Sequence, residues 1–388
     1  MIRYGMVGGG PGAFIGDVHR MAAGLDGRMR LVAGAFSSDP ERSRHQGREL
    51  GLDPSRVYES YADMASWEAS LPERERIEVV LIVTPNHLHF EPARVFLEAG
   101  FHVVCDKPLT TTLEDAEALC RLVADGDRIF ALTHNYTGYP MVKEARALVR
   151  EGRLGDIRRV AVEYVQGWLS TALEDTGHRQ ADWRTDPARA GVSGALGDIG
   201  THAHNLVRYV TGLELEELCA DLSTFVEGRR LEDDANLLLR LGGGARGTLT
   251  ASQIAVGEEN ALSLRVYGTD GAIAWRQEEP ETLWFHRPDG RRERRRRGHE
   301  WLSDPAQKAS RIPAGHPEGF IEGFANLYHA VADAIESGAT HAVAFDFPTV
   351  WDGARGVHFL ERAVESARTG GWVDARYAPP AEPAGSAA

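Results

Sequence analysis

The chain has 388 residues, and 43% of them are hydrophobic. This length exceeds what one hydrophobic core usually supports, so we expect two domains. The 57 acidic and 43 basic side chains give a formal charge of −14, which argues against a nucleic-acid-binding surface. The three cysteines lack the spacing of a metal site, and no stretch approaches the ~20 apolar residues that a membrane span needs. These features predict a cytoplasmic protein with free thiols and argue against a membrane protein.

The N-terminal segment predicts a strand followed by a glycine-rich turn. Residues 2–7 are apolar enough for a buried strand, and residues 8–16, which follow directly, are rich in glycine. Apolar residues with helical spacing come next, so the turn opens a helix. Main-chain N–H groups at such a helix N-terminus can bind a pyrophosphate, although a plain glycine turn is the alternative. The candidate phosphate contacts are Gly8, Gly10, Gly12, Ala13, Phe14 and Ile15.

The second predicted strand, residues 31–36, ends at Ser37 and Ser38. Folds that prefer NAD have an acidic residue near this place, where it accepts a hydrogen bond from the ribose 2′-hydroxyl. Ser37 would leave room for the 2′-phosphate of NADP, with Arg42 or Arg44 as the cation. Either arginine can equally be a solvated helix residue. The sequence therefore predicts a bound NAD(P) with a lean to NADP.

Residues 78–83 form the clearest buried strand of the first half and run directly into a polar turn. The carboxyl ends of parallel strands meet at one edge of the sheet, and open α/β sheets bind their ligands there. Polar side chains in this turn are therefore candidates for contact with the cofactor. These candidates are Thr84, Asn86 and His89.

A short apolar run that begins at residue 102 stops abruptly at Asp106, Lys107 and Pro108. Proline disfavours helical backbone at the residue before it, so Lys107 is expected at the carboxyl end of a strand. We interpret this run as the fifth strand of a doubly wound parallel sheet of six strands, and Lys107 follows it. Lys107 then extends an ammonium group towards a ligand, and a solvated lysine at a strand end is the alternative.

After residue 136 the pattern changes to runs of strands. A helix at about 140–151 and an alternating strand at 157–165 come first, and two helices close the chain. Runs of strands with short glycine turns predict a mostly antiparallel sheet. The fold class is therefore α/β, with a doubly wound parallel sheet followed by an α+β half. The further strands lie near 216–226, 235–241, 246–254, 262–267 and 282–286, and the closing helices near 317–337 and 349–369.

These patterns predict two domains and a tail. Residues 1–135 form a nucleotide-binding domain, residues 136–377 a substrate-binding and oligomerisation domain, and residues 378–388 a disordered tail rich in proline and alanine. An arginine cluster at 291–297 follows a Pro-Asp-Gly turn. We interpret it as a solvated loop tip, with a polyanion site as the alternative.

The chemically dense stretch of the second half lies at residues 194–204. Asp198 and His202 are four residues apart, so on a helix they share a face. A carboxylate beside an imidazole can orient it and favour its charged form, as a general base requires. A metal site that includes His204 is one alternative, and a helix cap by Asp198 is compatible with the catalytic role. His204 lies off this face and is expected to be structural.

Taken together, the motifs resemble the Gfo/Idh/MocA oxidoreductases, which include glucose-fructose oxidoreductase and inositol 2-dehydrogenase. The resemblance covers residues 1 to about 210 and implies a Rossmann domain followed by a domain with an open mixed sheet. It further implies NAD(P)-linked oxidation or reduction of a sugar or cyclitol, and dimers or tetramers formed through that sheet. Its motifs are the glycine loop, Thr84-Pro85-Asn86 with His89, Asp106-Lys107-Pro108, Trp183-Arg184, Asp186-Pro187 and Gly194/Asp198/Gly200/His202.

The resemblance also implies roles for single residues. Lys107 matches the lysine of the family's Glu-Lys-Pro motif, which contacts nicotinamide and substrate, while Asp106 stands in place of the usual glutamate. Asp198 and His202 match the substrate-binding acid and the acid/base histidine. The glycine loop also departs from the family pattern, because it has four residues at 11–14 where one is usual. Asn86 and His89 match residues near the nicotinamide, Asn135 is a further cofactor candidate, and Trp168, Trp183 and Arg184 are candidate walls of the substrate site.

These residues predict a reaction. A secondary alcohol of the substrate lies over the nicotinamide, hydrogen-bonded to Lys107 and His202. His202 takes the hydroxyl proton as hydride leaves carbon, and Asp198 stabilises the imidazolium. Two other functions are compatible with the same fold: a glycosidase that uses NAD without net oxidation, and a nucleotide-bound regulator without catalysis.

Overall fold

The computed structural model describes residues 1–340 and 345–383. The chain forms two compact units. The first unit contains Met1–His134, Phe324–Ala354 and a third segment that begins at Pro379. The second unit contains Asn135–Gly323 and Arg355–Ala378. The predicted domain limits, which divide the chain without interruption, stay a prediction.

The first half of the chain alternates strands and helices, as its hydrophobic pattern predicts. Asp39, Ser60 and Thr112 each accept a main-chain hydrogen bond from the first turn of the helix that follows them. The elements are β1 (Ile2–Gly8), α1 (Phe14–Leu25), β2 (Met29–Ala35), α2 (Pro40–Glu49), α3 (Tyr61–Ser70), β3 (Val79–Val83), α4 (Phe90–Glu98), β4 (His102–Cys105), α5 (Leu113–Asp125) and β5 (Phe130–Leu132).

These strands form a five-stranded parallel sheet in the order β2-β1-β3-β4-β5. All five residues of β3 are buried, as expected for a strand that is covered on both faces. The strand order reverses between β1 and β3, and open parallel sheets bind ligands beside such a point. The predicted parallel sheet is therefore confirmed. The predicted number of strands is wrong: this sheet has five, and Lys107 follows the fourth, because one more strand was counted than the described chain forms.

The second half contains most of the remaining elements. In chain order these are α6 (Pro140–Arg150), β6 (Ile157–Val165), α7 (Arg179–Arg184), α8 (Pro187–Ala190), α9 (Thr201–Thr211), β7 (Leu215–Ser223), β8 (Asp234–Leu241), β9 (Arg246–Ser252), β10 (Ala261–Gly268), β11 (Ala272–Arg276), β12 (Thr282–His286), β13 (Arg292–Arg296), α10 (Asp304–Lys308), α11 (Phe320–Glu336), α12 (Val350–Thr369) and β14 (Val373–Asp374). From Phe324 onward α11 belongs to the first unit, and from Arg355 onward α12 belongs to the second.

The second unit is built on a nine-stranded sheet in the order β13-β12-β11-β10-β6-β9-β8-β7-β14. Among the ladders that the described residues form in this sheet, only the pair β6 and β9 is parallel. Its strands alternate buried and exposed residues, and the buried residues join those of α6 and α9 in one hydrophobic core. The predicted mostly antiparallel sheet is confirmed. The sequence missed β11, β13 and β14, which are short or rich in arginine.

The arginine cluster forms an edge strand, so its interpretation as a loop tip is wrong. Residues 292–296 are β13, paired with β12. Arg295 pairs with the buried Glu144 at 2.7 Å, and Arg297 pairs with Glu318 at 2.8 Å. Carboxylates of the same unit therefore neutralise part of the cluster, and a charged edge strand resists pairing with other chains.

Two further features bear on the sequence predictions. Within the predicted tail, the main-chain carbonyl of Pro380 accepts a hydrogen bond of 3.2 Å from the indole of Trp351, and residues 384–388 lie outside the described residues. Among the described helices, none combines the length and the apolar character that crossing a membrane requires.

Candidate active site

The glycine loop between β1 and α1 is closely packed. Gly8, Gly9 and Gly12 have φ angles of 85°, 68° and 79°, a region that favours glycine. A Cβ atom on Gly10 would lie 2.6 Å from the carbonyl oxygen of Phe36. No side chain caps the N-terminus of α1, so its first N–H groups are not occupied by a side-chain acceptor. A tight glycine turn and an uncapped helix N-terminus fit the pyrophosphate of a dinucleotide.

The residues that could distinguish NADP from NAD, by contact with its 2′-phosphate, lie at and after the end of β2. The hydroxyl of Ser37 accepts a hydrogen bond of 3.1 Å from the main-chain N–H of Asp39, and Asp39 caps α2. Arg42 donates to the carbonyl of Pro11 at 3.4 Å, so its guanidinium lies beside the glycine loop. Arg44 instead forms ion pairs with two glutamates, at 2.7 and 2.8 Å. Of the two predicted cations, only Arg42 contacts the glycine loop.

The turn after β3 is joined to the segment after β4 by His89. This side chain is fully buried, with Nδ1 2.7 Å from the carbonyl oxygen of Pro108 and Nε2 2.9 Å from that of Thr84. Burial lowers the pKa of His89. Asn86 is also buried, and the hydroxyl of Thr84 donates to the carbonyl of Leu88 at 2.9 Å. These contacts fix the shape of the turn, and His89 holds it against the segment after β4.

Asp106 and Lys107 follow β4 directly. One carboxylate oxygen of Asp106, Oδ1, accepts hydrogen bonds from the main-chain N–H of Lys107 at 3.1 Å and from the hydroxyl of Thr133 at 2.7 Å. The Lys107–Pro108 peptide bond is cis. Burial and, second, the Lys107 charge lower the pKa of the nearby His134 to about 3. A positive side chain thus lies at the carboxyl end of β4, beside an imidazole that is neutral at ordinary pH.

In the second unit, Asp198 lies in a π-helical turn, Leu196–Gly200, that continues directly into α9. Its Oδ2 accepts hydrogen bonds from Arg184 at 3.0 Å and from Gln253 at 2.8 Å. His202 lies in the first turn of α9 and is 8% exposed. Asp198 and His202 are therefore on one continuous helical segment, as the spacing predicts. Local π-turns in helices often occur at functional sites.

A buried acid holds the start of this segment. One oxygen of Glu232 accepts hydrogen bonds from the Ser193 hydroxyl at 2.5 Å and from the main-chain N–H groups of Gly194 and Leu196 at 2.8 and 3.1 Å. Burial raises the pKa of Glu232. A carboxyl group from another part of the chain thus satisfies N–H groups that a helix start leaves without partners.

His202 packs against a closed ring of hydrogen bonds. The Tyr136 ring meets the His202 ring edge-on at 4.9 Å. The Tyr164 hydroxyl donates to Oδ1 of Asn260 at 2.7 Å, the Asn260 amide donates to the Tyr136 hydroxyl at 3.3 Å, and the two hydroxyls are 2.5 Å apart. Burial raises the pKa of both tyrosines, so both stay protonated. The three groups satisfy one another and form a rigid support for His202.

The predicted walls of the substrate site lie together. The Arg184 guanidinium carbon is 4.1 Å from the ring centre of Trp183 and 6.0 Å from that of Trp168. The Trp168 indole donates to Gln166 at 3.0 Å. Arg184 thus links two aromatic rings to Asp198.

The other predicted site residues have diverse surroundings. Phe14 is exposed at the start of α1, Ile15 is half-buried, Ser38 is exposed and Asn135 is buried. His204 stacks on Phe359 with ring centres 4.4 Å apart, which agrees with a structural role. No three His, Cys, Asp or Glu side chains within residues 1–340 and 345–383 are placed to hold a metal ion.

Family models match both halves of the chain. Residues 2–134 match an oxidoreductase family with an NAD-binding Rossmann fold, and residues 142–274 match the GFO/IDH/MocA C-terminal domain. The chain belongs to the Gfo/Idh/MocA family. It is therefore an NAD-binding oxidoreductase by family, and the predicted Gfo/Idh/MocA resemblance is confirmed.

Named relatives of this Gfo/Idh/MocA chain include enzymes of sugars and cyclitols. It is 34% identical to the uncharacterized oxidoreductase YfiI of Bacillus subtilis, with 96% of each chain covered. It is 29% identical to levoglucosan dehydrogenase of Pseudarthrobacter phenanthrenivorans, over 73% of this chain and 75% of that one. An inositol dehydrogenase homolog from Azotobacter vinelandii, solved with NADH and myo-inositol, is 38% identical with a TM-score of 0.88, covering 96% of this chain and 97% of the other.

Several residues of this candidate site were not predicted from the sequence. Gln253 is 55 residues from the Asp198 that it contacts, and no local pattern marks such a distant partner. Glu232 is the first of three consecutive acidic residues, Glu232-Asp233-Asp234, a pattern that predicts exposure to solvent. Tyr136 could have been found, because it directly follows the predicted Asn135. The prediction that Lys107 and His202 meet at one nicotinamide ring stays a prediction, as does self-association through the second sheet.

Proposed function

We propose that this protein is an NAD(P)-dependent dehydrogenase that acts on a secondary alcohol of a sugar or cyclitol, or on the matching ketone. The observation that carries the proposal is the helical segment with Asp198 and His202. Arg184 and Gln253, from other parts of the chain, orient the Asp198 carboxylate. An oriented carboxylate one helical turn from a buried imidazole suits proton transfer to and from a hydroxyl group. The named sugar and cyclitol dehydrogenases among the relatives support the substrate class.

In this proposal each group has one task. When bound, NAD(P) supplies the hydride acceptor or donor. The glycine loop and the N-terminus of α1 bind its pyrophosphate. The Lys107 ammonium donates a hydrogen bond to the substrate oxygen, and His202 takes the hydroxyl proton during oxidation. Asp198 favours the imidazolium that results, and the two tryptophans beside Arg184 line the sugar site.

The test is a substrate panel followed at the absorbance band of reduced nicotinamide. With myo-inositol, other cyclitols, pyranoses and levoglucosan we expect at least one polyol to give one NAD(P)H for each ketone formed. A matched panel of glycosides serves as the control. Sugar release from a glycoside without accumulation of NAD(P)H would replace the dehydrogenase with a glycosidase that uses the cofactor transiently, and cofactor binding without any turnover would favour a regulator.

We further propose a preference for NADP over NAD, supported by Ser37 and by the position of Arg42 beside the glycine loop. The Azotobacter vinelandii relative was solved with NADH, so NAD is the competing choice. Arg42→Ala should weaken NADP binding by about ten- to 150-fold, because a charge-assisted hydrogen bond contributes about 1.5–3 kcal/mol. NAD binding should change by less than about twofold, because NAD has no 2′-phosphate for the arginine to contact.

Titration of the cofactors against the intrinsic protein fluorescence measures both affinities. Arg44→Ala is the matched control, because Arg44 lies on the same helix but is occupied by two glutamates. Equal losses of NAD and NADP affinity in Arg42→Ala, or tighter binding of NAD than NADP to the unchanged protein, would contradict the preference.

A further inference from the structure

Two buried polar side chains of the first unit, Tyr328 and His19, and the half-buried Asp106 form a series of contacts that ends beside Lys107. Tyr328 lies on α11, and its hydroxyl is hydrogen-bonded to Nδ1 of His19 on α1. The other ring nitrogen of His19, Nε2, lies 4.0 Å from Oδ2 of Asp106. His19 is 1% exposed, and Nε2 makes no hydrogen bond within the described chain. A buried polar atom without a hydrogen bond is costly, so its position calls for an explanation.

The place of the proton on His19 follows from its neighbours. Burial lowers the pKa of His19 against the opposing effect of Asp106, and burial holds the pKa of Tyr328 well above its usual range. A neutral imidazole therefore meets a protonated phenol. The phenol O–H donates to Nδ1, and the single ring proton then lies on Nε2, where it faces the Asp106 carboxylate. The other tautomer would point a lone pair at a negative oxygen.

Among the described residues, the other groups that act on His19 and Tyr328 do not compete for this proton. The remaining groups that act on the pair are Arg20 on α1 and Tyr4 on β1. Arg20 is held by Asp17 and by the carbonyl of Gly9 at 2.9 Å. Burial raises the pKa of Tyr4 to about 12, so its phenol stays neutral. The carboxylate after β4 is therefore the anion towards which the Nε2–H points.

Asp106 connects His19 to Lys107. Its Oδ1 holds the main-chain N–H of Lys107 and the Thr133 hydroxyl, while Oδ2 faces His19. Contacts on both oxygens resist rotation of the carboxylate. At 4.0 Å the separation of Nε2 and Oδ2 is longer than a hydrogen bond, so His19 acts on Asp106 as an electrostatic partner.

We propose that His19 is a positioning residue whose Nε2–H, fixed by Tyr328, orients the Asp106 carboxylate and through it the main chain that carries Lys107. The effect on turnover rests on the proposed function, in which Lys107 contacts the substrate. The effect on the lysine itself does not. His19 touches neither cofactor nor substrate in this role, and it acts only through Asp106.

The scarcity of lysine allows a direct test on the whole protein. The sequence contains three lysines, the half-buried Lys107, the buried Lys143 and the exposed Lys308. Brief acetylation with acetic anhydride, followed by proteolysis and mass spectrometry, gives the rate at each lysine separately. The ratio of the Lys107 rate to the Lys308 rate cancels differences in reagent and time. The neutral amine is the species that reacts, and an amine that is held in place meets the reagent less often, so at one fixed pH this ratio reports how firmly Lys107 is held.

Three variants of His19 distinguish the effect of losing the N–H donor from the effect of changing the size of the side chain. His19→Phe and His19→Asn have no donor at the position of Nε2, whereas the amide of His19→Gln can donate there. We expect the first two to raise the acetylation ratio by about two- to fivefold, less than the loss of a full hydrogen bond would give, because the Nε2–Oδ2 contact is longer than one. The value of kcat should fall by a similar factor, with the cofactor KM unchanged. His19→Gln should restore both quantities towards those of the unchanged protein.

The matched control is His102→Gln. His102 lies at the opposite end of β4, and its Nδ1 accepts the main-chain N–H of Ile129 at 2.9 Å. Loss of this bond loosens the same strand without touching Asp106, so the acetylation ratio should not change. Thermal unfolding of every variant reports general loss of stability, and the Gln and Asn variants keep the comparison valid if His19→Phe does not fold.

The outcomes separate this inference from the proposed function. An unchanged acetylation ratio in His19→Asn, or equal ratios in His19→Asn and His19→Gln, would overturn the positioning role whatever the turnover. If the unchanged protein oxidises no polyol and the ratio still rises in His19→Asn alone, the dehydrogenase proposal fails while the positioning role stands.

Discussion

Lys107→Ala is expected to lower turnover of a polyol substrate by about 10²-fold or more, the loss typical of removing one donor that stabilises charge in a transition state. In the proposed reaction the ammonium donates to the substrate oxygen, and alanine has no donor to replace it. The main-chain N–H of this residue, which Asp106 holds at 3.1 Å, is retained in the variant. The loss therefore falls on the side chain alone. The measurement is the rate of NAD(P)H formation at saturating cofactor.

The exposed Lys308 on α10 supplies the matched control, since Lys308→Ala removes the same side chain at a position outside the site. That variant should keep the turnover of the unchanged protein. Cofactor titration and thermal unfolding show whether Lys107→Ala is folded and binds NAD(P). A folded Lys107→Ala protein that turns over within about threefold of the unchanged protein would remove the lysine from the mechanism.

His202→Ala should reduce kcat by about 10²- to 10⁴-fold, the usual contribution of a positioned general base. The imidazole is 8% exposed and meets the Tyr136 ring edge-on, so few rotamers are open to it and its nitrogens are held in place. Without it, the hydroxyl proton must leave to water or to a weaker base. The pH profile of kcat/KM should lose the limb that reports this histidine, because alanine carries no titratable group.

His204→Ala is the control for this experiment. His204 lies on the same helix but stacks on Phe359, so its loss should lower the thermal unfolding temperature and leave the pH profile in place. Retention of the same limb of the profile in a folded His202→Ala protein would assign the proton transfer to another group.

The sequence predicted those parts of the fold in which local pattern and tertiary environment agree. The five residues of β3 are all apolar and β-branched or leucine, and their strand is buried on both faces. The alternation in residues 157–165 matches β6 to the residue. By contrast, β13 consists of four arginines and a glutamate, a composition that predicts solvated loop. It becomes a strand because it pairs with β12, and this pairing lies beyond any local window.

The site shows the same division. The separation of four residues between Asp198 and His202 was sufficient to place both on one helical segment, because helical geometry depends on local separation alone. The partners of Asp198 were beyond reach, since Arg184 is 14 residues away and Gln253 is 55 residues away. His89 illustrates a third case. Its position in sequence predicts a contact with the cofactor, which stays a prediction, while the two main-chain carbonyls beside its ring nitrogens could not be predicted from local sequence.

The segment that begins at the π-helical turn has a consequence for how such a protein can diversify. Glu232 holds the start of this segment, and Asp198 and His202 both lie on it, so their spacing is set by the segment itself. The tryptophans around Arg184 belong to a different stretch of chain. In the proposed function, substitution of these tryptophans would change which polyol is accepted, and proton transfer would be retained wherever the contact of Arg184 with Asp198 is kept.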